Sequence, residues 1–93
     1  MEENLSVKFY LNGKVQGVGM RYFVHKESKK LGLKGYVKNL RDGRVEGILY
    51  GKKEDIHSLF HILESNSPGN ITRIDKEKVT LDKTPDKFTL KIF

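Results

Sequence analysis

The feature that most restricts how this chain can fold is a repeated change of hydrophobic period, from strand-like alternation to helical spacing and back. LSVKFYLNG alternates: Leu5, Val7, Phe9 and Leu11 fall on one face, and Ser6, Lys8, Tyr10 and Asn12 on the other. That is the pattern of a half-buried strand. Beyond a glycine-rich loop, Met20, Val24, Ser28 and Leu31 form a stripe at helical spacing through RYFVHKESKKLG, with Phe23 beside it and basic residues over much of the remainder. Gly32 supplies a helix stop, with Leu33 available for the accompanying apolar contact. KGYVKNL and RVEGILYG return to strand-like runs, joined by Arg41, Asp42 and Gly43, residues suited to a hairpin turn. KKEDIHSLFHILES then sets Ile56, Leu59, Phe60 and Leu63 at i, i+3, i+4 and i+7, with Glu54 and Asp55 in the first turn, where negative charge suits the helix dipole.

NSPGN breaks the chain. ITRIDKEKVTL reads as another strand, but Ile74 is out of phase with Val79 and Leu81, so either a bulge intervenes or the strand is shorter than the run. Its lysines suit a sheet edge. TPD turns, and FTLKIF alternates Phe88, Leu90 and Ile92 as a short final strand. The order is β-α-β-β-α-β plus one added strand. Each helix has one apolar face, so both cover the same side of one sheet. The expected class is α+β: a ferredoxin-like sandwich with one antiparallel or mixed sheet, two helices on one face and an added C-terminal strand. That architecture hosts many functions, so function must be argued from a site.

The length fits a single domain over residues 1–93. There is no cysteine, which excludes disulfides, a thiolate nucleophile and cysteine-based zinc sites, and fits a reducing compartment. MEENLSV lacks the apolar run of a secretory signal, and nothing approaches the apolar length of a membrane span. The expectation is a soluble, cytoplasmic monomer with no membrane partner. Eighteen Lys and Arg against twelve Asp and Glu give a formal charge of +6. The basic residues are spread rather than blocked, so the charge favours anions in general without choosing among them.

The loop itself, GKVQGVGMRYF, carries three glycines and then Arg21. It fails the P-loop pattern: after Gly13 the next glycine, Gly17, comes one position early, and no Lys-Ser/Thr pair follows. It also fails the dinucleotide pattern, because Tyr22 stands where the third glycine belongs. The physics of such loops still applies. A strand passing into a helix through glycines can turn successive N–H groups toward one point, where the helix N-terminus adds positive charge. The guanidinium of Arg21 matches a phosphate or carboxylate through two parallel hydrogen bonds. Two readings stand: a small anion pocket, or a tight turn followed by a surface arginine.

GKVQGVGMRYF, followed by LGLKGYVKNLRDGRVE, resembles the acylphosphatase family. Both of its motifs are present: G-x-V-Q-G-V-x-x-R from Gly13 to Arg21, and G-x-V-x-N-x-x-D-G-x-V from Gly35 to Val45. The resemblance covers essentially the whole chain in length and element order. It implies hydrolysis of small acyl phosphates to carboxylate and orthophosphate, with Arg21 and Asn39 as the catalytic residues. It also implies that the amides of Gln16, Gly17, Val18, Gly19 and Met20 bind the phosphoryl group, that no metal or cofactor is needed, and that inorganic phosphate binds as product and competitor. Asn39 cannot remove a proton at neutral pH, but its amide can orient a water. Without the resemblance, Asn39 reads as a turn residue before RDG. Met20 replaces the usual phenylalanine, an apolar change that alters packing rather than chemistry. Leu40 stands where some relatives carry Thr or Ser, which alters the hydrogen bonding around Asn39.

The remaining candidates have plainer readings. His57 and His61 have metal-binding spacing but lie off the apolar stripe, so they read as solvent-exposed. His25, near the loop, reads as a surface residue rather than a proton carrier. The rival of another class is an RNA-binding module of the same element order, with Tyr10, Tyr36 and Tyr50 as aromatic steps on the open sheet face. KGYV opens like one of its motifs, but KNLR lacks the second aromatic and the run is in the second strand rather than the third. No nucleic-acid partner is therefore expected. A third option is a catalytically silent acylphosphatase-like domain of the kind attached to larger carbamoyl-transfer proteins. The retained Arg21 and Asn39, and a chain that ends here, weigh against it.

Overall fold

The computed structural model describes residues 3–92. Its elements run β1 (Asn4–Lys14), α1 (Met20–Lys30), β2 (Lys34–Asn39), β3 (Val45–Lys52), α2 (Lys53–Asn66), β4 (Asn70–Lys78) and β5 (Phe88–Leu90). They form one five-stranded sheet in the order β4-β1-β3-β2-β5. The first four strands pair antiparallel, and β5 joins β2 in parallel, which makes the sheet mixed. This is the expected ferredoxin-like arrangement with its added strand.

The alternation in β1 sets the layers. Val7, Phe9 and Leu11 are buried beneath the helices, while Lys8 and Tyr10 face the open side. Val37, Val45 and Leu49 complete the sheet side of the core, and Met20, Val24, Ile56, Leu59, Phe60 and Leu63 complete the helix side. Phe60 meets Phe9 edge-on, with ring centroids 5.6 Å apart. Gly47 of β3 lies against that ring, and a side chain there would collide with it. Full burial of each large apolar side chain contributes roughly 1.5–3 kcal/mol, so this layer supplies most of the driving force.

Both helices end as their residues dictate. At the end of α1, the N–H of Leu33 donates to Ser28 O and that of Gly32 to Lys29 O. With Gly32 in the left-handed region, this is a Schellman stop. Helix α2 gives way at Ser67, which is extended, as a residue before proline must be, and whose hydroxyl donates to Leu63 O at 2.7 Å.

Two expectations about the C-terminal third change. The strand expected over ITRIDKEKVTL stops at Lys78 and also contains a bulge. Asn12 pairs with Arg73 but Gly13 with Ile71, leaving Thr72 as the extra residue. The bulge resets the side-chain parity, so Ile71 and Ile74, three apart, both pack on the core. Val79 and Leu81 belong instead to the connection that carries the chain from the β4 edge to the β5 edge. Leu81 and Pro85 in it line a depression with Tyr36 and Ile48 on the open face. The final strand is shorter than FTLKIF: it ends at Leu90, Ile92 lies beyond it, and Phe93 lies outside the described residues.

Candidate active site

The glycine-rich stretch divides into two parts with different purposes. Gly13 is still in β1, where a side chain would strike the backbone of Asn70 and Thr72 in β4. The true loop is 15–19. Val15 is buried and Val18 half-buried against the core, so the two valines fasten the loop from below. Gly17 and Gly19 have φ of +73° and +84°, while no residue between or beside them has positive φ. A side chain on either glycine would meet nothing within 4 Å. Glycine is needed there for its backbone conformation, and the alternation of φ makes a concave run of amides of the anion-binding kind.

Helix α1 begins at Met20, with Gly19 at its N-cap, no side-chain cap and no acidic residue in the first turn. The first helical bond runs from Phe23 N–H to Gly19 O at 3.0 Å. Among the described residues, none of the backbone N–H groups from Gln16 to Tyr22 meets an acceptor. A run of uncommitted donors at a helix N-terminus attracts an anion by hydrogen bonding and by the helix dipole together.

Arg21 sits in that first turn, partly buried. Its Nη1 donates to the carbonyl oxygens of Lys91, at 2.9 Å, and Ile92, at 3.2 Å. Lys91 is itself fixed: its N–H donates to Val37 O at 2.9 Å, and its ammonium lies 4.1 Å above the Tyr36 ring. The C-terminal segment thus holds one arm of the guanidinium. The N–H groups on Nε and Nη2 have no partner among the described residues and keep the fork's geometry for an anion.

Asn39 is the last residue of β2 and pairs with Val45 across the hairpin. It is a strand residue rather than a turn residue, and its Oδ1 is buried with no hydrogen-bond partner. Leaving such a group unpaired costs about 1–3 kcal/mol; among the described residues Asn39 Oδ1 shares this state with Ser28 Oγ of α1, which lies in the core. Asn39, Arg21, Gly17, Gly19 and Met20 line one cavity of about 190 Å³, with Val15, Tyr22 and Leu90. Gln16 and Val18 of the proposed loop set do not line it. Larger depressions, of about 460 and 770 Å³, flank α2 and include neither Arg21 nor Asn39.

The side chain of Gln16 does something that sequence reasoning missed. Its Nε2 donates to Leu40 O at 2.6 Å and to Arg44 O at 3.0 Å, the two carbonyls at the base of the β2–β3 turn. The turn is stiffened from within: Asp42 accepts from the backbone N–H of Arg44 at 3.0 Å and from its Nε at 2.9 Å. Those bonds hold the Asp42 carboxyl below its usual range. Loop and hairpin are therefore one cross-linked unit carrying Arg21 on one side and Asn39 on the other. A contact between residues so far apart in sequence leaves no local periodic trace.

The other candidates lie elsewhere. His25 packs on Phe88, with ring centroids 5.9 Å apart, and does not line the cavity. His57 and His61 are exposed, and no metal-binding group of three or more such side chains occurs among the described residues. On the open face, Arg44 covers the Tyr10 ring at 4.5 Å and Lys91 covers Tyr36. The Tyr36 hydroxyl donates to Glu46 at 2.7 Å. Two of the three proposed aromatic steps are thus occupied by cations of the chain itself.

Comparison with known proteins bears on the family and the fold. A family model described as Acylphosphatase matches residues 7–90. An acylphosphatase of Koribacter versatilis is 36% identical over 85 residues, covering 91% of this chain and 74% of that protein. The crystal structure of the Bacillus subtilis acylphosphatase superposes with a TM-score of 0.88 at 34% identity, covering 94% of this chain and 98% of that one. A probable carbamoyltransferase HypF of Methanocaldococcus jannaschii is 42% identical over 84 residues, which cover 90% of this chain but 11% of that protein. No helix among the described residues is long and apolar enough to cross a membrane. With a family model matched across nearly its whole length and the fold of the family's solved structures, the chain belongs to the acylphosphatase family.

Proposed function

We propose that this cavity hydrolyses small acyl phosphates, with the phosphoryl group held by the loop amides of Gln16 to Met20 and by Arg21, and the attacking water held by Asn39. The observation that carries the reading is the set of uncommitted groups. The free amides of Gly17, Gly19 and Met20, the free arm of Arg21 and the side chain of Asn39 meet in the lining of one small concavity.

The chemistry follows from these groups. The water oxygen bonds to phosphorus while the bond from phosphorus to the acyl oxygen breaks, and its electron pair leaves with the carboxylate. Phosphoryl transfer of this kind is mostly positioning and charge stabilisation. The amides and Arg21 neutralise charge on the phosphoryl oxygens, and donors preorganised in this way cost no reorganisation at the moment of reaction. The side-chain amide of Asn39, which lines the cavity, hydrogen-bonds the water and orients it toward phosphorus. No carboxylate or imidazole lines the cavity among the described residues. The water's proton accordingly passes to a phosphoryl oxygen of the substrate, which is possible because a carboxylate is a good leaving group and needs no protonation.

The test is release of phosphate from acetyl phosphate in the presence of a chelator. Arg21→Ala should weaken inhibition by inorganic phosphate and lower turnover by roughly 10²–10³-fold, the usual loss for one preorganised donor. Asn39→Ala should lower turnover while leaving phosphate inhibition nearly intact. Full turnover in Asn39→Ala would remove the water-positioning role. The absence of cysteine supports work in a reducing compartment such as the cytoplasm, and the monomer is the default state for the chain. The similarity to HypF supports a second reading, in which the same site works inside a longer carbamoyl-transferring protein. A strong preference for carbamoyl phosphate over acetyl phosphate would favour it.

A further inference from the structure

The phosphoryl end of a substrate is accounted for by the loop, but the acyl end is not. A cavity of about 190 Å³ lies below the roughly 300–1,000 Å³ range of sites that enclose a drug-sized ligand. With the loop amides and Arg21 taking the phosphoryl group, the acyl group falls against the remaining lining, Tyr22 and Leu90, and the rim beside it.

The rim has a distinct character. Two large hydrophobic side chains stand exposed among the described residues: Tyr22, 63% exposed, and Ile92, 78% exposed. Both belong to the immediate surroundings of Arg21. Tyr22 follows it in α1 and lines the cavity, and Ile92 offers the carbonyl to which Arg21 Nη1 donates. Leu90, on the same C-terminal segment, lines the cavity as well. Lys26 stands 5.9 Å from the Tyr22 ring centroid. Exposed apolar side chains scattered over a surface need no explanation, but their concentration beside one polar site marks a surface that a ligand covers.

We propose that Tyr22 and Ile92 form the acyl subsite, and that the preferred substrates are acyl phosphates with an apolar, especially aryl, acyl group. This rests on the phosphoryl-binding role given to the loop and Arg21 above. An aryl ring lying against Tyr22 gains the offset or edge-on contact that aromatic pairs favour, and Ile92 and Leu90 add aliphatic surface. An acetyl group has too little surface to exploit them.

The experiment is the ratio of kcat/KM for benzoyl phosphate to that for acetyl phosphate, measured in wild type, Tyr22→Ser, Tyr22→Phe and Ile92→Ser. The ratio within each protein cancels changes common to both substrates. It should fall about tenfold in Tyr22→Ser, the order expected for losing apolar contact at a specificity pocket, and fall in Ile92→Ser too. Tyr22→Phe should restore it, since the ring and not the hydroxyl makes the contact. Inhibition by inorganic phosphate, which has no acyl end, should move far less than the ratio. A ratio unchanged in both serine variants, with thermal midpoints near wild type, would overturn the acyl subsite while leaving the phosphoryl site standing. Hydrolysis of neither compound by wild type would overturn the phosphoryl-binding reading and the subsite with it.

Discussion

Gln16 Nε2 lies 2.6 Å from the carbonyl oxygen of Leu40, the residue that follows Asn39. Through that bond, and the one to Arg44 O, the phosphate-loop candidate and the hairpin that ends β2 keep a fixed separation. Gln16 is thus a positioning residue for both halves of the site. Gln16→Leu should lower turnover and weaken phosphate inhibition together, because both the amides and Asn39 lose their reference. It should also cost stability, about 0.5–1.5 kcal/mol for each of the two hydrogen bonds lost, since Leu40 O keeps the N–H of Gly43 and Arg44 O that of Leu40. Denaturant titration and phosphate-inhibition kinetics on the same variant check the two parts. A stability loss with unchanged kinetics would reduce Gln16 to a structural staple.

How much of this was legible before the structure depended on distance along the chain. Val7, Phe9 and Leu11 in β1, and Ile56, Leu59, Phe60 and Leu63 in α2, announce their elements because periodicity is a local property. The two motifs point to Arg21 and Asn39, and the fold brings both to one cavity. What could not be read is what long-range pairing decides. Nothing near Arg21 in sequence says that Lys91 and Ile92 hold its Nη1. Nothing near Asn39 says that it is the last strand residue with an orphaned oxygen rather than part of the turn. The out-of-phase Ile74 signalled an irregularity, but placing the bulge at Thr72 required the register against β1.

Ser28 sits in the buried stripe of α1 with Met20 and Val24, and its hydroxyl has no hydrogen-bond partner. An unsatisfied buried hydroxyl costs about 1–3 kcal/mol, and serine is a poorer helix former than alanine by a few tenths. Ser28→Ala should therefore raise stability by about 1 kcal/mol, a shift of roughly 4–8 °C in Tm for a domain of this size. Thermal unfolding followed by circular dichroism checks this. An unchanged or lowered Tm would mean that packing around the hydroxyl outweighs its desolvation.

Tyr36 should stay protonated well past the ordinary range of a phenol. Burial, its hydrogen bond to Glu46 and the negative charge of that carboxylate all hold its phenol well above the ordinary value of 10. The folded state thus keeps a proton that the unfolded state releases. The resulting stability is whole below pH 10 and is lost as pH rises beyond it. An ultraviolet titration of the folded protein should find the Tyr36 phenol silent near pH 10 and appearing only on unfolding. In Tyr36→Phe that late step should vanish.

The hairpin turn carries an opposite pH dependence. The backbone N–H of Arg44, and then its side chain, hold the Asp42 carboxyl below the ordinary value of 3.8. A lowered carboxylate contributes stability that is whole above the unfolded value and is lost as pH falls through the folded one. Asp42 is exposed to solvent, so the effect belongs to the turn rather than to the core. Asp42→Asn removes the charge but keeps the shape. Its Tm should lie below wild type at pH 7, and the gap should close as pH falls through the lowered value and the wild-type carboxyl takes up its proton. Because Leu40 and Arg44 at the base of this turn receive Gln16, a loosened turn should also raise KM for acetyl phosphate at pH 7. A gap in Tm that persists unchanged at pH 2 would show that Asp42 acts through its shape and not through its charge.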